Sequence, residues 1–380
     1  MGKVLFMDIG IISSFVDEMS GGIGVYTHNL IENLNKIDKN NNYHLIHYLK
    51  KDMEMYRINN DIIIPKYNFM DKIGGSYSLW RYYILPRNMK NLEMDVVHDP
   101  YELGPLSFNM PFKKVVTIHD LSPIIFPNLF KWGDVMIHRL LFKKTVKNMD
   151  KIITVSEHSK NDIINYLKVP EENIEVIYNG KDDAFKPMSD WEIRDVYGKY
   201  GIDSEFILTV GGIHPIKNIS NILKAYHKLK KSGLKYKLVV VGNKMDKWEK
   251  IFETVQNLKL TGDVIFTGVV PLQDLTKLYN AAKLFVYPCL YAGFGLPPLE
   301  SMACGTPVVT SNNSSLPEVV GNAGVMIDPY NVDELSEAID GVLKDEDLQK
   351  DLTKKGLKRA ELFNWNKTAS ETLNIYEELG

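Results

Sequence analysis

The second half of the chain repeats one unit: a short uninterrupted apolar run closing on glycine or proline, then a stretch of helical periodicity. The runs are FILTVG at 206–211, KLVVVG at 237–242, DVIFTG at 263–268 and LFVYP at 284–288, and helical patterns follow from Asn218, Lys247, Pro271 and the segment starting at Tyr291. Apart from threonines and the charged residues that begin two of them, the runs hold no polar residue, so the strands they form must be covered on both faces. Strands alternating with helices achieve this as a parallel sheet between two helical layers. The first half keeps the same rhythm, with strands expected at residues 3–9, 43–49, 61–65, 95–98 and 114–119, then KIITV entering a helix capped by Ser156, then IEVIYNG. A helix opens at GGIG, residues 21–24, with Ser20 as its N-cap, and residues 78–90 read as a helix broken at Pro86.

The rhythm lapses after Lys181 and restarts at Phe206, which places a domain boundary near Asp183. At 380 residues the chain exceeds what one core usually serves, so two domains are expected, 1–183 and 184–364, with a ligand cleft between them. Open parallel sheets bind ligands beyond the carboxyl ends of their strands, where the glycine loops fall.

The most specific stretch is YAGFGLPPLESMACGTP, residues 291–307. Gly293 and Gly295 permit backbone conformations closed to other residues, and Pro297 and Pro298 suit a first helical turn, where an amide hydrogen has no partner. A strand, a glycine loop and a helix N-terminus make an anion site. Glu300, about one turn further in, can accept hydrogen bonds from hydroxyl groups, and Gly305 ends the helix. Phosphate and hydroxyls on one ligand describe a nucleotide sugar.

Composition removes other classes. A net charge of -3 gives no general attraction to nucleic acid. Two cysteines, Cys289 and Cys304, cannot build a disulfide framework or a cysteine zinc site, and they suit a reducing, cytoplasmic compartment. The N-terminus lacks a leader pattern and no apolar run approaches a membrane span. The basic amphipathic segment 131–147 fits either a packed surface helix or a peripheral contact with the inner face of a membrane. No segment sets an oligomeric state.

Few side chains stand out as chemical. Lys217, before a helix that Asn218 would cap, can place a full charge at a helix N-terminus and so suits a pyrophosphate bound without metal. His119 ends a strand of the first half, and Asp120 beside it either orients the ring or caps the next segment. Asp345-Glu346-Asp347 has a metal-binding spacing but lies in a charged stretch between helices, so it reads as solvated surface. No G-x-S-x-G, H-E-x-x-H or P-loop pattern is present in the sequence.

Taken together, GGIGVYT, TIHDLSPI, ITVSEHSKNDI, VIYNG, PIKN, YAGFGLPPLESMACGTPVV and NSSLPEVVG resemble the family 4 retaining glycosyltransferases of the GT-B fold, and among them the mannosyltransferases that build bacterial O-antigen. The resemblance implies two Rossmann-like doubly wound domains, with a glycan or lipid-linked acceptor on the first and the donor, GDP-mannose, on the second. It also implies a C-terminal helix, 365–380, crossing back to the first domain, and no metal or other cofactor. By position, Gly22 matches a loop glycine at the donor phosphate, Lys217 the phosphate-binding lysine, and His119 the histidine contacting the transferred sugar. Amides of Phe294, Gly295 and Leu296 match phosphate donors, Val270 the base contact, and Glu300 the second glutamate of an E-x7-E motif, on the ribose.

Three positions depart from the pattern. Gly212 stands where many members carry a phosphate-binding arginine, and Ile216 where close relatives have arginine before the lysine. Ala292 takes the first position of E-x7-E, where the family has a glutamate on the donor sugar. The resemblance thus implies donor binding with slowed turnover, or an impaired nucleotide-sugar-binding protein serving as partner or sensor. An epimerase of the same fold would share the glycines but not the PLESMACGTPVV run.

Overall fold

The structure, a computed structural model, describes residues 6–14, 21–48, 61–64, 80–101 and 104–380. The chain forms two compact units, one of Met1–Ile125, Trp132–Gly180 and Trp365–Gly380, the other of Phe126–Lys131 and Lys181–Asn364. Residues 126–131, placed with the first half by sequence rhythm, therefore group with the second unit. The reason is aromatic packing: Phe126 lies 5.8 Å from the Tyr291 ring and Phe130 4.9 Å from His214.

Among the described residues the first unit holds a seven-stranded sheet of β1 (Asp8–Ile12), β2 (Asn42–His47), β3 (Asp61–Ile63), β4 (Val96–Asp99), β5 (Lys113–Ile118), β6 (Lys151–Thr154) and β7 (Ile174–Val176). Its order is β3-β2-β1-β4-β5-β6-β7, all parallel. One face packs Ile12, Ile46, Val97, Val116 and Ile118 against Trp80, Leu85 and Phe142. The first strand lies later than residues 3–9, of which 3–5 fall outside the described set. The apolar run extends on both sides of Asp8, and pairing selects its second half, with Ile9 opposite Val96 and Ile11 opposite His98. Pro86 does not break its helix: a π turn over Trp80–Ile84 runs into Leu85–Met89, leaving the proline in a first turn where its missing amide costs nothing. Ser156 caps Glu157–Asp162 by accepting from the Ser159 amide at 3.1 Å. Ser20 lies outside the described residues.

The second unit repeats the design with β8 (Phe206–Val210), β9 (Lys237–Val241), β10 (Val264–Gly268), β11 (Leu284–Tyr287), β12 (Val308–Ser311) and β13 (Val325–Ile327), in the parallel order β10-β9-β8-β11-β12-β13. The intervening helices bury one apolar stripe each: in Ile219–Lys231 it comprises Ile219, Ile222, Leu223, Tyr226 and Leu229. Truncating a side chain as enclosed as Leu223, 0% exposed, costs about 2–5 kcal/mol. Asp345 accepts from the amides of Asp347 and Leu348, so this acidic triplet is the cap of Glu346–Ala360.

The last helix, Trp365–Leu379, belongs to the first unit and lies beside the helix Gly21–Ile37. Trp365 meets Tyr26 edge-on at 5.9 Å, and Thr368 donates to the Tyr178 carbonyl at 2.7 Å. In each sheet the strand order reverses between its first and fourth strands, β1/β4 and β8/β11. The carboxyl ends at such reversals diverge and leave room for a ligand.

Candidate functional site

At the β8/β11 reversal two loops are sewn together. After β8, a short 3-10 turn of Pro215–Lys217 is capped by His214, whose Nδ1 accepts from the Ile216 amide at 3.2 Å. Asn218 takes a left-handed conformation, φ 58, and does not cap the following helix by its side chain as expected. Its Nδ2 instead donates to Pro288 and Pro329 carbonyls at 3.0 and 2.7 Å, and the Leu290 amide donates to Ile216 at 2.9 Å. This stitching fixes Lys217. Its Nζ donates to the Tyr287 hydroxyl at 2.9 Å, with the ammonium 5.4 Å from the centre of that ring.

The glycine loop after β11 is held by its carbonyls. Ser311 donates to Cys289 at 2.7 Å, Asn313 to Leu290 at 2.9 Å, and Ser315 shares its proton between Ala292 and Phe294, while Ser314 accepts from the Ala292 amide at 3.2 Å. In a trans peptide the N–H points opposite to the C=O. Turning the Ala292 and Phe294 carbonyls toward the serines therefore turns the amides of Gly293 and Gly295 away from them. Gly295, φ +116, precedes the helix Leu296–Ala303, and a Cβ there would lie 2.9 Å from Leu316 Cδ2. Since Pro297 and Pro298 carry no amide hydrogen, the donors at this helix start are the amides of Gly295 and Leu296. Ala292, 5% exposed, sits within this loop.

Glu300, on the same side of that helix as Leu296, accepts from the Tyr279 hydroxyl at 2.8 Å through Oε2. Burial raises its acid to about 7, partly offset by the Tyr279 bond. Oε1 keeps its acceptor capacity for a ligand hydroxyl. Val270, partly buried, follows β10 at the same end of the sheet, on its outer strand. At Gly212 an added Cβ would meet Met245 Sδ at 2.1 Å, so the methionine side chain fills that space.

Gly22 and His119 lie in the first unit. Gly22 is in the opening turn of Gly21–Ile37, with open space within 4 Å of its Cβ position, so packing does not require a glycine there. His119 follows β5, and its Nε2 is 2.9 Å from the Pro100 carbonyl. A carbonyl only accepts, so Nε2 carries the hydrogen and Nδ1 holds a lone pair. Burial lowers the pKa of this ring, against the Pro100 bond and Asp120, so it is neutral near pH 7. Asp120 does not orient the imidazole: it accepts from the Ser122 amide at 2.8 Å and caps the next turn.

Several residues beside these had no local signal. The Ser311–Ser315 supports, Tyr279 and Tyr287 act through partners about 20 or more residues away. In the first unit Arg81 and Asp99, each 1% exposed, form a pair at 2.6 and 2.8 Å. Burial raises Asp99 to about 6 even against this arginine. Among the described residues no group of three or more His, Cys, Asp or Glu side chains is placed to hold a metal, and no helix is long and apolar enough to cross a membrane.

Comparison with known proteins bears on this arrangement. A family model described as "Glycosyltransferase Family 4" matches residues 20–185, and one described as "Glycosyl transferases group 1" matches 189–359. The Escherichia coli O-antigen chain mannosyltransferase B is 34% identical over 281 residues, 73% of this chain and 74% of that protein. The serotype-specific mannosyltransferase WbdA of the same organism is 32% identical over 288 residues, 74% of this chain but 35% of its own length. Among solved structures, sucrose-phosphate synthase from Thermosynechococcus elongatus superposes with a TM-score of 0.77 at 20% identity, covering 98% of this chain and 99% of that one. Anabaena HepE, solved with UDP and glucose, gives 0.77 at 17% identity over 98% and 100%. Sequence identity along most of its length and the doubled parallel-sheet architecture agree that this chain belongs to the family 4 glycosyltransferases and has the GT-B fold.

Proposed function

We propose that the chain transfers mannose from GDP-mannose, with retention of configuration, to a hydroxyl of a glycan or lipid-linked acceptor. The observation that carries this reading is the anchored ammonium of Lys217 at the same strand ends as the Gly295 and Leu296 amides and the Glu300 carboxyl. A cation and helix-start amides suit a diphosphate, and a carboxyl with spare acceptor capacity suits ribose hydroxyls. The sugar's identity follows the relatives, two of which are named mannosyltransferases.

In this reaction the bond from the anomeric carbon to the phosphate oxygen breaks and a bond to the acceptor oxygen forms on the same face. The acceptor oxygen is itself the nucleophile in this same-face step, and its proton passes to a phosphate oxygen, so the protein provides neither nucleophile nor base. Its task is to stabilise charge on the departing diphosphate, which Lys217 and the two amides do by electrostatics. His119 offers Nδ1 to a hydroxyl of the transferred sugar.

A lipid-linked acceptor also fits the helix Trp132–Val146. It packs Val135, Phe142 and Val146 inward, yet leaves Trp132 78%, Leu140 66% and Ile137 38% exposed beside Arg139, Lys143 and Lys144. Large apolar side chains among cations are the pattern of contact with an anionic membrane face. The enzymatic reading is tested by incubation with GDP- and UDP-sugars, following nucleoside diphosphate release and the anomeric configuration of the product. Donor consumption with GDP-mannose and an axial product linkage is expected. Silence with every donor, in the chain as it stands and in Ala292→Glu, would sink it and leave the donor-binding sensor.

A further inference from the structure

The first unit carries a buried polar chain that the reading above does not use. On β4, His98 is 0% exposed, with Nδ1 2.6 Å from the Tyr376 hydroxyl and Nε2 2.8 Å from Thr117 Oγ1. Thr117 Oγ1 lies in turn 3.1 Å from the Tyr26 hydroxyl. The Tyr26 and His119 rings meet in a T-shaped contact, centroids 4.9 Å apart. Burial lowers His98 to about 3, so the ring stays neutral and can donate at one nitrogen while accepting at the other.

Both supports of His119 lead back to this chain. The first is the Tyr26 ring, whose hydroxyl end Thr117 holds. The second is the Pro100 carbonyl, two residues beyond His98 on the same stretch of backbone. Asp99 between them is clamped by Arg81 at 2.6 Å, so the end of β4 is fixed by side chains at consecutive residues. Tyr376 comes from the C-terminal helix, 278 residues from its partner in sequence.

We infer that Tyr376, acting through His98 and Thr117, is a positioning residue for His119, so that the C-terminal helix sets the geometry of the sugar contact. This rests on the reading of His119 as the sugar-contacting residue. The chemistry is neutral hydrogen bonding throughout, with each of the four groups holding one mobile proton for three bonds. Losing one end leaves a buried acceptor or donor unmatched and lets the tyrosine and histidine rings shift.

The test separates the two halves of the donor. Calorimetry gives the dissociation constants of GDP and GDP-mannose for the wild type, Tyr376→Phe, His119→Ala and the double variant, with thermal melting as a check on folding. Tyr376→Phe is expected to leave GDP affinity unchanged and to cut the preference for GDP-mannose over GDP about two- to tenfold, the range for one neutral hydrogen bond. The double variant should then match His119→Ala alone, because both act through one group. A folded Tyr376→Phe that keeps its full preference overturns the inference, as do losses that add in the double variant. If His119→Ala itself keeps the preference, the role given to His119 fails first and the inference with it. Thr117→Val, which retains the branched shape in β5, should reproduce the Tyr376→Phe effect, and its failure to do so breaks the chain in the middle.

Discussion

Replacing Lys217 by methionine keeps its aliphatic stem and removes only the charge. The ammonium donates to Tyr287 at 2.9 Å and stands 5.4 Å from that ring, so contacts within the protein hold its rotamer. Ordering a lysine side chain otherwise costs up to about 2 kcal/mol. With that cost met in the folded protein, binding realises most of a charge-assisted hydrogen bond, about 1.5–3 kcal/mol. At about 1.4 kcal/mol per decade, Lys217→Met should weaken GDP binding by about tenfold to about 150-fold. Tyr287→Phe isolates the anchoring share, because the ring remains while the hydroxyl goes. About 0.5–1.5 kcal/mol is then at stake, or about two- to tenfold. Titration calorimetry at two salt concentrations gives the ranking, and the gap between wild type and Lys217→Met should narrow at high salt. An unchanged GDP affinity in folded Lys217→Met would show that this lysine is ordinary surface and that the diphosphate binds elsewhere. Equal losses in the two variants would assign the effect to the shape of the pocket instead of its charge.

Three further outcomes are expected. Ala292→Glu should leave GDP affinity within about twofold but raise donor turnover by about ten- to a thousandfold, the range for one electrostatic group in the transition state; side-by-side kinetics with equal rates would refute it. Glu300, raised to about 7, ionises between pH 6 and 8, so GDP affinity should rise over that interval and the rise should vanish in Glu300→Gln. For the empty protein the sign is opposite: a carboxyl raised on folding stabilises below its ordinary range and loses that contribution as pH rises through about 7, so melting from pH 5 to 8 should fall more in the wild type than in Glu300→Gln. Sedimentation with vesicles containing anionic phosphatidylglycerol should capture the protein more than neutral vesicles do, and a Trp132→Ser, Leu140→Ser variant should lose that capture while keeping GDP affinity.

Much of this protein is written locally in its chain. An apolar run such as KLVVV becomes a doubly covered strand wherever it is placed, because no pairing leaves it a solvent face, and the four strands read in the second half stand where their runs stand. Gly295 and the two prolines after Leu296 determine a helix start with few amide donors, a property of four consecutive residues. Which strands would be neighbours, and so where the order reverses, is absent from any local pattern; it arises because β11 crosses to pair with β8 instead of β10. The residues that depend on that crossing could not be read. Tyr287 anchors Lys217 across two strands, and the serines after β12 face the glycine loop after β11. Asn218 shows the limit within a motif: its sequence setting suggests a cap, but two carbonyls from distant loops offer its amide better partners. Tyr376 is the clearest case, since a lone tyrosine in an amphipathic helix carries no mark of function, and only the packing of the last helix in the first unit brings its hydroxyl to His98. Local sequence sets what each segment can form, whereas long-range hydrogen bonds are chosen only once topology has placed donors and acceptors together in a space without water.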